Sequence, residues 1–155
     1  MDVLFINPSI GENYQSLKSD YSAVEPPTWS LLLAEAMRSM GYKVSIVDAN
    51  AENLSNEEIY SRIKVLKPRL ISFVVYGQNV NAGTTNMSGA LRVSNYLKTK
   101  DNNIFISFIG SYVQALPVKV LNDEKSIDIV FTNEAVYSLK NILSLSSFDS
   151  GKLSK

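Results

Sequence analysis

Gln78, Asn79, Asn81, Thr84, Thr85, Asn86 and Ser88 fall within eleven consecutive positions. All seven donate or accept hydrogen bonds and none carries charge. Such a set suits a large neutral or amide-rich ligand better than a bare phosphate. Any single Asn or Thr of this kind also serves to cap a helix or close a turn, so it is the density that points to a ligand. The rest of the chain narrows the chemistry. There is no histidine and no cysteine in 155 residues. An imidazole base, a thiolate nucleophile, a Cys-held cluster or zinc site and a His-ligated metal are all excluded, as is a Ser-His-Asp relay. A reaction centred here takes its reactive atom from a bound group or from a partner domain.

The elements that position these residues alternate. Val3-Leu4-Phe5-Ile6, Val44 to Val47, Leu70 to Val75, Ile104 to Ile109 and Ile127 to Phe131 read as strands. Most are continuous apolar runs, the signature of strands buried on both faces. Pro26-Pro27-Thr28 opens a helix whose apolar stripe is read as Trp29, Leu32, Leu33, Ala36, Met37 and Met40, with Gly41 closing it. Ser55 and Glu58 form a capping-box signature ahead of Ile59, Ile63 and Leu66. Met87, Ala90, Leu91, Ser94 and Leu97 mark a third helix, preceded by a polar loop from Tyr76 to Thr85. A short helix or turn carries Ala115 to Leu121, and Glu134 to Leu143 forms the last helix. The expected fold is α/β: a doubly wound, parallel five-stranded sheet in the flavodoxin-like (Rossmann-like) order 2-1-3-4-5.

Ligands in such sheets bind beyond the carboxyl ends of the strands. The relevant segments are Asn7 to Glu25, Tyr76 to Thr85, Gly110 to Pro117 and Thr132 to Glu134. Fifteen basic and fifteen acidic residues give no net charge, which argues against nucleic acid and acidic membrane surfaces as partners. No apolar run reaches the ~20 residues of a membrane span, and Met1 to Ile6 is not a signal peptide. A cytoplasmic location is the expectation. The Gly-x-Gly-x-x-Gly and P-loop fingerprints are absent. Asn7-Pro8 and Tyr76-Gly77 stand where a phosphoacceptor receiver carries acids, and Pro8 to Asn13 is a poor copy of a flavodoxin phosphate turn.

The order of motifs resembles the N-terminal cobalamin-binding domain of cobalamin-dependent radical S-adenosylmethionine enzymes. The resemblance rests on Asn7-Pro8, on Pro26-Pro27-Thr28-Trp29 with Leu32-Leu33-Ala34, and on Gly41-Tyr42-Lys43-Val44 with Val47-Asp48. It continues through Leu70 to Val75 with Gly77-Gln78 and Thr84-Thr85, then Gly110 to Pro117, then Ile127-Asp128-Ile129-Val130 with Glu134-Ala135. Ser111, Val113 and Asn133 depart from the family's glycine, histidine and glycine at those places. The resemblance implies a cobalamin-binding domain over residues 1–143 and a linker or frayed tail over 144–155 leading to a catalytic domain. It implies cofactor contacts from Pro8, Ser9, Tyr76, Gly77, Gln78, Asn79, Thr84, Thr85, Gly110, Ser111, Tyr112, Ala115, Leu116, Pro117, Asn133 and Glu134.

A corrin ring then lies across the carboxyl edge, with its nucleotide tail running down between strand ends and helices. Without histidine in the chain, the cobalt takes no imidazole from it, and Gln78, Asn79, Tyr76 or water faces its lower side. The family's S-adenosylmethionine and [4Fe-4S] cluster need a Cys-x-x-x-Cys-x-x-Cys site, so they belong to a radical S-adenosylmethionine partner domain in the same or another chain. The domain alone is expected to bind rather than catalyse, in the service of a methyltransferase-like enzyme. Two other readings stand beside this one: the N-terminal half of a sugar-nucleotide glycosyltransferase, and a degenerate docking domain that binds no ligand.

Overall fold

A computed structural model of the chain describes residues 1–9, 26–76 and 80–148, with backbone alone for 80–85. In chain order its elements are β1 (Val3–Asn7), α1 (Thr28–Ser39), β2 (Val44–Asp48), α2 (Asn56–Leu66), β3 (Leu70–Val74), α3 (Val80–Lys100), β4 (Ile106–Ile109), α4 (Ser111–Ala115), α5 (Pro117–Asp123), β5 (Ile129–Phe131) and α6 (Val136–Leu143). The strands form one sheet in the order β2-β1-β3-β4-β5, and every neighbouring pair is parallel. This is the flavodoxin-like order expected from the alternation of apolar runs and helical stripes.

Successive strand residues point to opposite faces, and both faces are buried. Val3, Phe5, Leu70, Val74, Ile109 and Phe131 pack against Leu33, Ala34 and Met37 of α1 and against Leu139, Ile142 and Leu143 of α6. Leu4, Ile6, Ile71, Phe73, Ile106 and Phe108 pack against Ile59 and Ile63 of α2, Met87, Ala90, Val93 and Leu97 of α3, and Val113 and Val120 beyond β4. Ser72 and Ser107 pair across β3 and β4 and bond each other at 2.9 Å, so these polar side chains sit in the core without loss.

Local signals explain the boundaries. The Ser55 hydroxyl accepts from Glu58 N–H while the Glu58 carboxylate accepts from Ser55 N–H, the reciprocal cap expected from sequence. Gly41, at φ +89°, takes the left-handed turn that lets Tyr42 N–H bond back to Met37 O at 3.2 Å. Two strands are shorter than their apolar runs, because Asp128 takes over at their amino ends. Its carboxylate accepts from Ile106 N–H at 2.7 Å and from the Lys98 ammonium at 2.8 Å.

The stripe that α1 buries is displaced from the expected one. It is Ser30, Leu33, Ala34 and Met37, while Trp29, Leu32 and Met40 are 44%, 58% and 39% exposed. The apolar girdle of this helix is wider than the strip the sheet covers.

At the amino edge, Arg69 donates to Leu143 O at 3.1 Å and to Leu145 O, and lies over the Phe148 ring at 5.1 Å. Phe148 in turn meets Phe105 with ring centroids 5.0 Å apart. Residues 144–148 are thereby held beneath the sheet. No helix among the described residues is long and apolar enough to cross a membrane.

Candidate functional site

All carboxyl ends of a parallel sheet lie at one edge, and α1 and α6 run back antiparallel, so the start of each helix meets that edge. The first anchor there is at β1 and β2. Asn7 Nδ2 donates to Asp48 Oδ1 at 2.8 Å, and the same oxygen accepts from Ala51 N–H at 3.0 Å. This ties the two strand ends and turns the chain after β2.

Tyr76, just past β3, is held on three sides. Asn86 Nδ2 donates to its carbonyl at 2.8 Å. Gln114 Nε2 donates to its phenolic oxygen at 2.5 Å and to Asn133 O at 2.9 Å. The Trp29 ring lies against the Tyr76 ring. One uncharged network thus spans the ends of β3, β4 and β5 and the first turn of α1. Burial pushes the phenol above its ordinary value, the Gln114 bond pulls it back, and the Glu134 charge adds to the rise. The group is a neutral phenol at physiological pH.

The loops around this network differ in openness. Pro8 and Ser9 are buried, because α3 lies directly on them. A Cβ on Gly89 would stand 2.3 Å from Ser9 O. Gly110 also serves the fold, since a Cβ there would stand 2.6 Å from Val75 O, so the chain itself fills the room that its missing side chain leaves. Beyond it, Ser111, Ala115 and Leu116 are exposed and Tyr112 and Pro117 half-buried, on two short helices rather than one loop. Asn133 and Glu134 are exposed, and Asn133 Oδ1 accepts from Ala135 N–H at 2.8 Å, fixing the left-handed turn at Ala135 that starts α6.

The expected loop from Tyr76 to Thr85 is shorter than the sequence suggests. Helix α3 begins at Val80, so Asn81, Thr84 and Thr85 lie in its first turns. Asn, Thr and Gly83 are weak helix formers and hid this start. The spacing of Val80 from Met87, two helical turns, was the signal that continued the stripe upstream. Gly77, Gln78 and Asn79 lie outside the described residues.

The structure therefore brings Tyr76, Asn133, Gly110 and the Ser111 to Pro117 segment to one edge, with Pro8 and Ser9 under α3 beside it. It adds three residues absent from the expected set. Gln114 is the hub of the polar network, and Trp29 covers Tyr76. Ser30 is the third: it is 1% exposed, and its hydroxyl has no hydrogen-bond partner. A polar residue in register with Leu33, Ala34 and Met37 was a legible sign of it. A groove of about 260 Å³ between α3 and α5, lined by Met87, Leu91, Tyr112 and Val120 among others, lies on the opposite face. Among the described residues no cluster of three His, Cys, Asp or Glu side chains is placed to hold a metal ion.

Comparison with known proteins agrees with this architecture. The chain is 27% identical over 144 residues to the anaerobic magnesium-protoporphyrin IX monomethyl ester cyclase of Rubrivivax gelatinosus. That match takes in 92% of the chain and 24% of the relative, so the chain spans about a quarter of the length of the curated protein it matches. The family model for the B12 binding domain matches residues 17–143, most of the sheet and all six helices. With its five parallel strands in the order 2-1-3-4-5, the chain belongs to the B12 binding domain family.

Proposed function

We propose that the chain is the cobalamin-binding module of a larger enzyme of the radical S-adenosylmethionine, methyltransferase-like kind, and that it holds the cofactor without a protein histidine on cobalt. The observation that carries this reading is the uncharged network Tyr76–Gln114–Asn133 at the carboxyl edge, flanked by the Trp29 ring. A corrin ring is a broad disc rimmed by neutral amides. Amide and phenol partners match that rim, and a flat aromatic pair matches its face. The donor set fits the group.

When bound, cobalamin supplies a cobalt centre able to carry and release a carbon ligand. What the chain's own residues do is bind and orient. Gln114, Asn133, Ser111 and Tyr112 meet the ring's amides, together with Gln78, Asn79, Thr84 and Thr85. Pro8, Ser9, Gly77, Gly110, Ala115, Leu116, Pro117 and Glu134 shape the rim around them. With no imidazole in the chain, Tyr76, Gln78, Asn79 or water would stand in for a histidine ligand when the cofactor is bound. The S-adenosylmethionine and [4Fe-4S] chemistry belongs to a partner domain, and residues 1–143 are the binding unit.

Hydroxocobalamin mixed with the purified chain and passed over a sizing column tests the reading. The expected result is a coloured protein peak with about one corrinoid per chain. A colourless peak at excess corrinoid overturns it. A reconstituted cob(II)alamin complex should also show no nitrogen splitting from a protein imidazole in its electron paramagnetic resonance spectrum.

A further inference from the structure

At the amino edge of the sheet, the end of α2 and the turn between α3 and β4 enclose a cavity of about 340 Å³. Its lining holds three cations, Lys64, Lys67 and Arg69, against one acid, Asp101, and Tyr60 and Phe105 supply aromatic wall. The nearby acids are already engaged. Asp101 Oδ1 accepts from Asn103 N–H at 2.9 Å, and Asp2 lies 3.6 Å from Arg69. Glu57 accepts from the Tyr96 hydroxyl and pairs with Lys100 at 3.7 Å. The Lys64 ammonium lies over the Tyr60 ring, 5.1 Å from its centroid. Neither Lys64 nor Lys67 forms an ion pair with a carboxylate among the described residues.

The backbone at Lys67 points the same way. This residue caps α2 in the left-handed conformation, φ 46° and ψ 58°, with its N–H bonded to Ile63 O at 2.8 Å. Glycine is the usual residue at such a cap, because a side chain makes that conformation costly. A cation near the carbonyl end of a helix has a modest electrostatic return, and Lys64 in the last turn already supplies it. The lysine at position 67 is therefore more than the helix end requires.

We infer that this cavity is a binding site for a small organic carboxylate, whose charge is met by Lys64 and Lys67 and whose apolar body lies against Tyr60 and Phe105. The volume is within the range of small-molecule sites, roughly 300–1,000 Å³. The helices that end here, α2 and α3, present carbonyl groups rather than N–H groups, which disfavours a doubly charged phosphate and leaves a singly charged carboxylate as the better match. Arg69 adds positive potential while staying fixed to the Leu143 and Leu145 carbonyls. The site lies at the opposite end of the strands from Trp29 and Tyr76 and does not depend on what occupies that edge.

Benzoate is the probe, with benzyl alcohol as its uncharged control. In amide NMR titrations of the full chain at fixed ionic strength, benzoate should cause saturable shifts at residues 60–69 and 101–105, and benzyl alcohol should not. Lys67→Gly should weaken benzoate binding roughly tenfold. The ligand-free variant should melt about 2–4 °C higher than wild type, because glycine accepts the left-handed cap without strain. Opposite signs for binding and stability are not produced by a lysine that serves only the helix end. Lys64→Met should weaken benzoate binding as well. Absence of saturable benzoate shifts in this region overturns the inference. So do equal shifts with benzyl alcohol, and so does benzoate affinity unchanged in both variants. Should Lys67→Gly fail to fold by circular dichroism, Lys64→Met is judged by the same binding criterion. No corrinoid is present in these titrations, so their failure leaves the function proposed above standing.

Discussion

The Trp29 and Tyr76 rings meet with centroids 4.6 Å apart and planes tilted by 31°. One ring starts α1 and the other follows β3, so the contact spans the edge where the ligand is proposed to sit. Trp29 is the single tryptophan of the chain. Its emission therefore reports this contact alone. Titration with hydroxocobalamin should quench it in a saturable way, and Tyr76→Ala should change the emission of the ligand-free protein. Emission that follows only the dilute absorbance of added corrinoid, with no saturation, would show that the ligand does not reach this edge.

The Tyr76 phenol gives a pH dependence with a definite sign. Burial raises it above the ordinary value of 10.0, against the opposing Gln114 bond. A group raised in the folded state contributes stability that is fully present below its unfolded value and is lost as pH rises through the folded one. Urea midpoints should therefore hold steady from neutral pH to about 10 and fall above it. Tyr76→Phe should flatten that part of the decline. Gln114→Leu removes the opposing bond, so tyrosinate absorbance should appear at higher pH than in wild type.

Gly89 is a contact residue by virtue of lacking a side chain. With Ser9 O only 2.3 Å from where a Cβ would be, Gly89→Ala must push α3 away from the Pro8-Ser9 turn. The expected loss is about 1–3 kcal/mol, the usual range for overpacking, read from urea unfolding. Corrinoid affinity should fall as well if Pro8 and Ser9 shape the site. A variant as stable as wild type would mean that helix and turn are not in register.

Asp128 has a structural task at the other end of the sheet. It bonds Ile106 N–H and receives Lys98, whose ammonium also donates to Ile104 O at 2.8 Å. Both side chains of this pair are mostly buried. Lys98→Met should cost about 1.5–3 kcal/mol, because a partly buried carboxylate loses its charged partner. Corrinoid affinity should be unchanged among molecules that remain folded, since the pair is at the amino edge. Thermal melts and binding isotherms on the same preparation separate the two effects.

The parts of this molecule with regular chemistry were open to reading from residues alone. Leu70–Val74 and Ile106–Ile109 are strands because nothing polar interrupts both faces except Ser72 and Ser107, and those two serve each other. The capping box at Ser55 and the turn at Gly41 stood where their residue types require. Boundaries failed where a polar side chain substituted for backbone pairing, as Asp128 does at β4, or where helix residues were individually weak, as at Asn81, Thr84 and Thr85. The edge network was harder still. Gln114, Trp29 and Tyr76 are far apart in sequence, and no spacing rule brings an amide onto a phenol from another loop. Ser30 was visible as a polar residue in an apolar stripe, but its lack of a partner follows only from how α1 packs.

The Arg69–Phe148 clamp has a consequence for architecture. It fastens the chain at the pole of the domain farthest from Trp29 and Tyr76. Under the proposed function, a catalytic body attached after Phe148 would have to climb the full height of the strands, roughly 17 Å for the five residues of β3, to face the proposed cofactor site. In that arrangement tether length would be a variable of its own, governing how often the two proposed parts face each other.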